Sequence, residues 1–195
     1  MDSFPAFFPL AGRRVIIAGS GDFAEGKARL FDGSPAQVER IEGERAFDPE
    51  AYRGAVLAFI ASEDTAFAEA AVKAARAAGV PVNAVDRPAL CDFFTPAVVD
   101  RGQVVAAVGT GGASPVLSQQ LRKALEGVMP EGAGRVAVLL RQFREETRGA
   151  FPDMDHRRAF VAEVLAGPAA EAALAGDMDR ARSLLRKALD AAKRG

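Results

Sequence analysis

The stretch that decides the fold is VIIAGSGDFAEGKARLF, residues 15–31. Its β-branched start runs into Gly19, a pattern typical of a buried strand in a parallel sheet. Gly19-x-Gly21-x-x-Ala24 then opens a charged helix, predicted to end at Phe31. The first glycine of such a motif permits a tight turn, the second lets the backbone approach a pyrophosphate, and the small third residue lets helix and strand pack closely. The stretch therefore predicts a dinucleotide-binding turn.

The contacts expected from this turn come from its glycines and from the first helical residues. They are Gly19, Gly21, Asp22, Phe23 and Ala24. An acidic residue about 20 positions further on usually contacts the adenosine ribose. Glu42 stands near that distance, at the end of a half-exposed strand at 37–42, and we expect it to fill this role, the alternative being a solvated charge. Glu39 is close in sequence and is interpreted as a solvated charge.

The rest of the chain predicts an α/β fold. Strands at 55–61, 80–85 and 104–108 follow, with a helix at 65–78, and alternating strands and helices indicate a Rossmann-like parallel sheet. From Ser114, an N-cap followed by Pro115, the pattern becomes helical, with further helices at 134–148, 155–165, 168–175 and 177–192. The expected domains are 1–112, which binds NAD, 113–150, a helical dimerisation region, and 151–195, a small all-helical C-terminal domain.

Composition excludes several classes of protein. The 195 residues carry a net charge of −1 and are 49% hydrophobic, so a folded core is expected and a non-specific nucleic-acid binder is not. No apolar run reaches the roughly 20 residues that span a bilayer, and MDSFPAFFPLAGRR has no basic segment before its apolar residues. No membrane partner and no signal peptide are therefore expected. One cysteine, Cys91, fits a reducing, cytoplasmic setting.

The segment 80–126 carries more specific motifs than the glycine turn. They are Val82-Asn83-x-x-Asp86, Cys91-Asp92-Phe93 with Pro96, Asp100-Arg101, and Thr110-Gly111-Gly112-Ala113-Ser114-Pro115. These motifs resemble the precorrin-2 dehydrogenase/sirohydrochlorin ferrochelatase family, which also forms the N-terminal module of multifunctional sirohaem synthases. The opening FPLAGRRVIIAGSG and the later FPDMDHRRAFVAEVL are similar to that family as well, so the resemblance covers nearly the whole chain.

The resemblance implies an activity in sirohaem biosynthesis. Members oxidise precorrin-2 to sirohydrochlorin with NAD as the hydride acceptor, and some also insert ferrous iron into this tetrapyrrole. The resemblance further implies a Rossmann domain, a dimerisation region and a helical domain assembled as a homodimer.

Asp86 is the predicted catalytic residue. It follows a strand at its carboxyl end, where ligands bind in open α/β sheets. Oxidation needs a base for the proton that leaves with the hydride, and metal insertion needs a base for the pyrrole N–H protons. A carboxylate in an apolar tetrapyrrole pocket is expected to have a raised pKa, which suits both roles. The alternative is a turn residue before Arg87-Pro88.

Other residues are candidates for substrate or cofactor contacts. Asn83 either positions a ring by its amide or caps the turn, and Ser62 either lines the cofactor cleft or starts a helix. Asp100-Arg101 is interpreted first as a structural ion pair, although Arg101, with Arg122 and Lys123, remains a candidate for substrate carboxylates. The loop after the strand at 104–108 offers backbone N–H groups to an anion. Its predicted contacts are Thr110, Gly111, Gly112 and Ser114.

No metal site is predicted, because no His, Cys and carboxylate spacing resembles one. His156, the only histidine, is expected at the surface or an interface, and Cys91 is expected to be a small buried apolar residue.

One departure from the family pattern motivates a second hypothesis. Only about twenty residues separate the first helix from AVLAFIA at 55–61, and residues 37–52 match the family's third strand better than its second. On that interpretation the ribose contact at Glu42 is lost. The alternative function is then a tetrapyrrole-binding or scaffold homodimer without NAD.

Overall fold

The glycine-terminated run at the start of the sequence forms β1, Arg14–Gly19, an inner strand of a four-stranded parallel sheet. This computed structural model describes residues 3–194. The other strands are β2, Gln37–Ile41, β3, Ala55–Ala61, and β4, Val82–Ala84, in the order β2-β1-β3-β4. Two helices flank the sheet, α1, Gly21–Ala28, and α2, Thr65–Ala77. The predicted Rossmann-like sheet is thereby confirmed.

Alternate side chains of β1 build a core on each face of the sheet. Ile16 and Ala18 pack with α2 residues on one face, while Val15 and Ile17 pack with Ala24 of α1 on the other. All four β1 side chains are fully buried. Because β1 is covered on both faces, the near-continuous apolar run of its sequence is the pattern that such a strand requires.

The placement of β2 corrects the sequence interpretation of residues 37–52. Strand β2 pairs with β1 in parallel register, from Arg14 against Gln37 to Ala18 against Ile41, and therefore occupies the second-strand position. In the usual strand order of a dinucleotide-binding sheet, a third strand lies outside the second. Here the chain passes from β2 through two short 3-10 turns, Gly43–Phe47 and Pro49–Tyr52, and β3 then joins the opposite side of β1. As an edge strand β2 is half-exposed, as expected.

The second half of the chain begins with a hairpin that the sequence analysis did not identify. Strands β5, Ala97–Arg101, and β6, Val104–Val108, pair antiparallel in a sheet of their own. The prediction that 104–108 is a fourth parallel strand is therefore wrong. The Asp100 carboxylate accepts a hydrogen bond from the Gly102 backbone N–H (2.7 Å), and Gly102 has a φ of 74°. A turn of this kind joins neighbouring antiparallel strands directly, with no crossover helix.

Helices follow the hairpin to the end of the described chain. They are α3, Pro115–Val128, α4, Ala133–Gln142, α5, Arg144–Ala150, α6, Met154–Ala166, α7, Pro168–Ala175, and α8, Met178–Ala192. The single helix predicted at 134–148 is two helices, because the chain breaks at Phe143, which is buried beneath Arg186. Leu139, Phe160, Leu185 and Leu189 form the centre of this helical core.

The chain divides into two compact units, one ending at Thr95 and the other beginning at Pro96. The hairpin belongs to the second unit, where β5 and β6 both contact α3. The division into domains at residues 112 and 150 stays a prediction. Within residues 3–194, no helix has the length and apolar character needed to cross a membrane.

Candidate functional site

The carboxyl edge of the parallel sheet carries a cavity of about 650 Å³, here called the turn cavity. Residues from β1, α1, the segment directly after β2 and the β3–α2 loop surround it. The lining residues that the sequence predicted are Gly19, Gly21, Asp22, Phe23, Glu42 and Ser62. Residues widely separated along the chain thus meet at the edge of the sheet where open α/β folds bind ligands.

Each glycine of the turn meets a different requirement. Gly19 has a φ of 128°, and a Cβ there would lie 2.0 Å from the carbonyl oxygen of Ala61 on β3, so only glycine allows the two strands to approach. Gly21 has a φ of 69°, and a Cβ there would meet no protein atom within 4 Å. Gly21 therefore keeps the cavity side of the turn open, as close backbone approach to a ligand requires.

The N-terminus of α1 at this cavity has no side-chain cap. Ser20 is the N-cap residue, and its side chain makes no capping hydrogen bond. By contrast, Asp64 caps α2 by accepting from the backbone N–H groups of Ala66 and Phe67. The uncapped first turn of α1 leaves N–H groups and the positive end of the helix dipole available to an anion.

Glu42 lies directly after β2 and lines the turn cavity with an exposed side chain. Its neighbour Glu39 behaves differently. The Glu39 carboxylate pairs with Arg14 (2.7 Å) and Arg45 (2.5 Å), and the hydrogen bond from Arg14 lowers its pKa. Glu39 is thus a structural ion-pair residue, a correction of its interpretation as a solvated charge. Glu42 is the acidic group facing the cavity at the end of β2.

A second cavity of about 310 Å³, here called the Asp86 cavity, adjoins the first. Phe23, Ser62 and Glu63 line both cavities, while Val85, Asp86 and Arg87 complete the second. The structure therefore brings the predicted catalytic carboxylate to the same cleft as the glycine turn.

Asp86 occupies an unusual backbone position. Its φ of 55° is the only positive value among the non-glycine residues that the structure describes. The backbone N–H of Arg87 donates to the carbonyl of Ala84 (3.3 Å), which places Asp86 third in a tight turn, where type II turns require a left-handed residue. Left-handed non-glycine residues concentrate at functional sites, and Asp tolerates this conformation better than most.

Two residues predicted as contacts are directed into the protein. Ala24 is buried between α1 and the sheet and contributes packing, as the third position of the motif requires. Asn83 is also buried, and its amide nitrogen donates to the carbonyl oxygen of Phe93 (3.0 Å). That bond anchors the segment after β4. Ser62 lines both cavities, and its hydroxyl accepts from the Asp64 N–H (3.2 Å).

A cation lies near the Asp86 cavity on α1. Lys27 is half-buried, with its Nζ 5.4 Å from the centroid of the Phe59 ring. Burial lowers the pKa of Lys27, while the nearby Cys91 and Asp86 oppose that shift. The Lys27 ammonium group is therefore close enough to Asp86 for the two charges to attract each other.

The remaining predicted contacts belong to the second unit, where their side chains bond locally. Arg101 donates to the carbonyl oxygens of Met129 (3.3 Å) and Asp100 (3.2 Å), and the ion pair expected between its guanidinium and the Asp100 carboxylate is not formed. Thr110 donates to the Ser114 carbonyl (3.2 Å), and Ser114 caps α3 by accepting from the Leu117 N–H (3.2 Å).

The loop after β6 and helix α3 carry the other predicted contacts of the second unit. Gly111 and Gly112 have φ values of 60° and 81°, so the loop turns through left-handed conformations that favour glycine. Arg122 pairs with Glu126 along α3, and Lys123 is exposed.

Among residues 3–194, no group of three or more His, Cys, Asp or Glu side chains has the arrangement of a metal site. His156 is exposed beside Asp153 (3.0 Å). Cys91 is half-buried, with its Sγ near the backbone N and O of Ala84 (3.2 and 3.3 Å).

Sequence reasoning missed several lining residues, among them the charged residues Glu63 and Arg87. Glu63 follows Ser62 at the carboxyl end of β3, so the strand-end rule could have identified it. For Arg87 the only signal was its position next to Asp86, because its contacts come from a different loop.

Comparison with known proteins agrees with this geometry. A family model of NAD(P)-binding domains matches residues 6–97, and the family model of the sirohaem synthase dimerisation region matches residues 132–189. The solved structure of the precorrin-2 dehydrogenase SirC is similar over 99% of this chain and 100% of its own, with a TM-score of 0.72 and 16% identity.

Curated relatives match over nearly the whole chain. The siroheme synthase of Nitrosomonas eutropha is 37% identical over 97% of this chain and 44% of its own length. That of Methylococcus capsulatus is 39% identical over 100% of this chain and 45% of its own length. The chain thus spans less than half the length of these relatives. Both family models and these relatives support the family that the sequence motifs resemble, the precorrin-2 dehydrogenase/sirohydrochlorin ferrochelatase family.

Proposed function

We propose that this protein oxidises precorrin-2 to sirohydrochlorin with NAD. The observation that carries the proposal is that the cavity at the uncapped glycine turn and the cavity at the Asp86 carboxylate share the lining residues Phe23, Ser62 and Glu63. Siroheme synthase relatives and the NAD(P)-binding family match support the same reaction.

The turn cavity has the features that a dinucleotide needs. Gly21 leaves the first turn of α1 open, and the N–H groups there suit a pyrophosphate. The Glu42 carboxylate suits the ribose hydroxyls. When bound, NAD accepts a hydride, which is the chemistry that no side chain of the protein supplies.

Asp86 acts as the base in this proposal. Precorrin-2 loses two hydrogens, one leaving carbon as a hydride and the other leaving as a proton. The Asp86 carboxylate is exposed in its cavity and takes that proton before passing it to water. If ferrous iron is also a substrate, the same carboxylate receives the protons released from the pyrrole nitrogens.

The geometry of β2 argues against the alternative of a scaffold without cofactor. That alternative rested on loss of the ribose contact, whereas β2 pairs with β1 and brings Glu42 to the cavity. We further propose that the protein acts as a homodimer, as its match to a dimerisation region supports, and that it works in the cytoplasm.

The direct test is an anaerobic assay of purified protein with precorrin-2 and NAD, followed by ferrous iron. We expect the sirohydrochlorin spectrum to appear together with NADH, and iron addition then reports the second activity separately. An unchanged precorrin-2 spectrum would reject the dehydrogenase assignment.

Replacement of Glu42 by Gln is expected to weaken the preference for NAD over NADP about tenfold. The 2′-phosphate of NADP is repelled by a carboxylate at this place, and that repulsion disappears with the charge. Calorimetric titration of both cofactors measures the ratio. Glu44→Gln is the matched control, because Glu44 is exposed two residues further on, in the 3-10 turn that Glu42 precedes, and lines neither cavity. Equal preference in wild type and Glu42→Gln would contradict the ribose role.

A further inference from the structure

Arg87 connects two loops at the carboxyl edge of the sheet. Its Nη1 donates to the carbonyl oxygen of Ser62 (2.7 Å), and its Nη2 donates to that of Glu63 (2.6 Å). Weaker contacts reach the Thr65 hydroxyl and the carbonyl oxygen of Val85, both at 3.3 Å. The guanidinium therefore joins the turn that carries Asp86 to the β3–α2 loop.

The acceptors of Arg87 are all neutral. Within the described part of the chain, Arg87 forms no salt bridge, although most other arginines with side-chain contacts pair with a carboxylate. Two parallel bonds to carbonyls of successive residues require the planar fork of a guanidinium, which an ammonium group cannot reproduce. The contact thus depends on the planar shape of the guanidinium as well as on its charge.

The β3–α2 loop has supports of its own. The Asp64 carboxylate caps α2, and the Ser62 hydroxyl accepts from the Asp64 N–H. The Asp86 turn also has backbone supports, since the Val85 N–H donates to the Ile60 carbonyl (2.9 Å) and the Arg87 N–H closes the turn around the left-handed Asp86 at 3.3 Å. The Arg87 side chain therefore supplies the hydrogen bonds that tie this turn to the β3–α2 loop.

We propose that Arg87 is a positioning residue for the dehydrogenation, because its guanidinium clamps the Asp86 turn to the β3–α2 loop and so sets where the carboxylate stands in the cleft. This inference rests on the proposed function. It assigns Arg87 an effect on the rate of the chemical step rather than on cofactor affinity.

The test compares steady-state kinetics of wild type, Arg87→Ala and Arg87→Lys. A misplacement of about 1 Å can cost on the order of 100-fold in rate, so we expect both variants to lose at least about 10-fold in kcat. The KM for NAD is expected to stay within about twofold, because the loop that lines the turn cavity keeps its own bonds. Lysine restores the charge without the fork and is expected to recover little of the rate.

Arg135→Ala is the matched control for lost stability. Arg135 also donates to two successive carbonyls, those of Ala173 (2.9 Å) and Leu174 (2.5 Å), and lies in the second unit. We expect a similar fall in melting temperature with kcat unchanged. A wild-type kcat in Arg87→Ala or in Arg87→Lys would overturn the positioning role. An inactive wild-type protein would overturn the proposed function first, and this inference with it.

Discussion

Replacement of Asp86 by Asn is expected to lower kcat for precorrin-2 oxidation by at least about 100-fold, while NAD affinity and the fold are retained. The amide cannot take up the proton that leaves with the hydride, and general bases contribute factors of this size or more. Asparagine has nearly the same shape as aspartate and tolerates the left-handed φ of 55°. The measurement is kcat together with calorimetric NAD binding.

The choice of substitution decides what this experiment means. Asp86→Ala would place a residue that disfavours the left-handed conformation into the turn. A loss of activity could then reflect a changed loop. Asp86→Gly favours the turn and removes the carboxylate, and we expect it to be as inactive as Asp86→Asn. A normal rate in either variant, with an unchanged melting temperature, would show that Asp86 is not the base.

Replacement of Gly19 by Ala is expected to destabilise the protein by about 3 kcal/mol and to abolish NAD binding. The new methyl group would lie 2.0 Å from the Ala61 carbonyl oxygen, which belongs to the backbone of β3. Strands β1 and β3 would have to separate, and overpacking of this kind typically costs 1–3 kcal/mol, to which strain at a φ of 128° adds. Chemical denaturation measures the loss.

Gly12→Ala provides the matched control. Gly12 also has a positive φ, of 68°, but a Cβ there would meet no atom within 4 Å. This variant is therefore expected to lose only the roughly 1–2 kcal/mol of stability that a left-handed alanine costs, and to keep its affinity for NAD. Equal stability of the two variants would contradict the close approach of β1 and β3.

The sequence predicted well wherever a local pattern determines the structure. The apolar run before Gly19 and the spacing of Gly19, Gly21 and Ala24 identified β1 and α1, since strand burial and a tight turn both leave a periodic or glycine signal. Asp86 was predicted because strand-end carboxylates are a recognisable class and because the surrounding motif resembles a known family, and the structure places it on the lining of a cavity.

Features that depend on strand pairing were harder to predict. Residues 37–41 leave the same half-exposed pattern in the second or the third position of a sheet, and only their pairing with β1 distinguishes the two. Likewise VVAAV at 104–108 resembles a parallel strand, although it pairs with β5 in a hairpin. Arg87 illustrates the general limit, because its role comes from carbonyl groups more than twenty residues away.

In the proposed mechanism this cleft transfers a hydride from precorrin-2 to NAD, with Asp86 as the base. The most direct measurement uses precorrin-2 that carries deuterium on the carbon that loses the hydride. Mass spectrometry then follows the deuterium into NADH, with the wild-type protein and with Asp86→Asn. We expect deuterated NADH from the wild-type protein and almost none from the variant. NADH without deuterium, or equal labelling from both proteins, would contradict this mechanism.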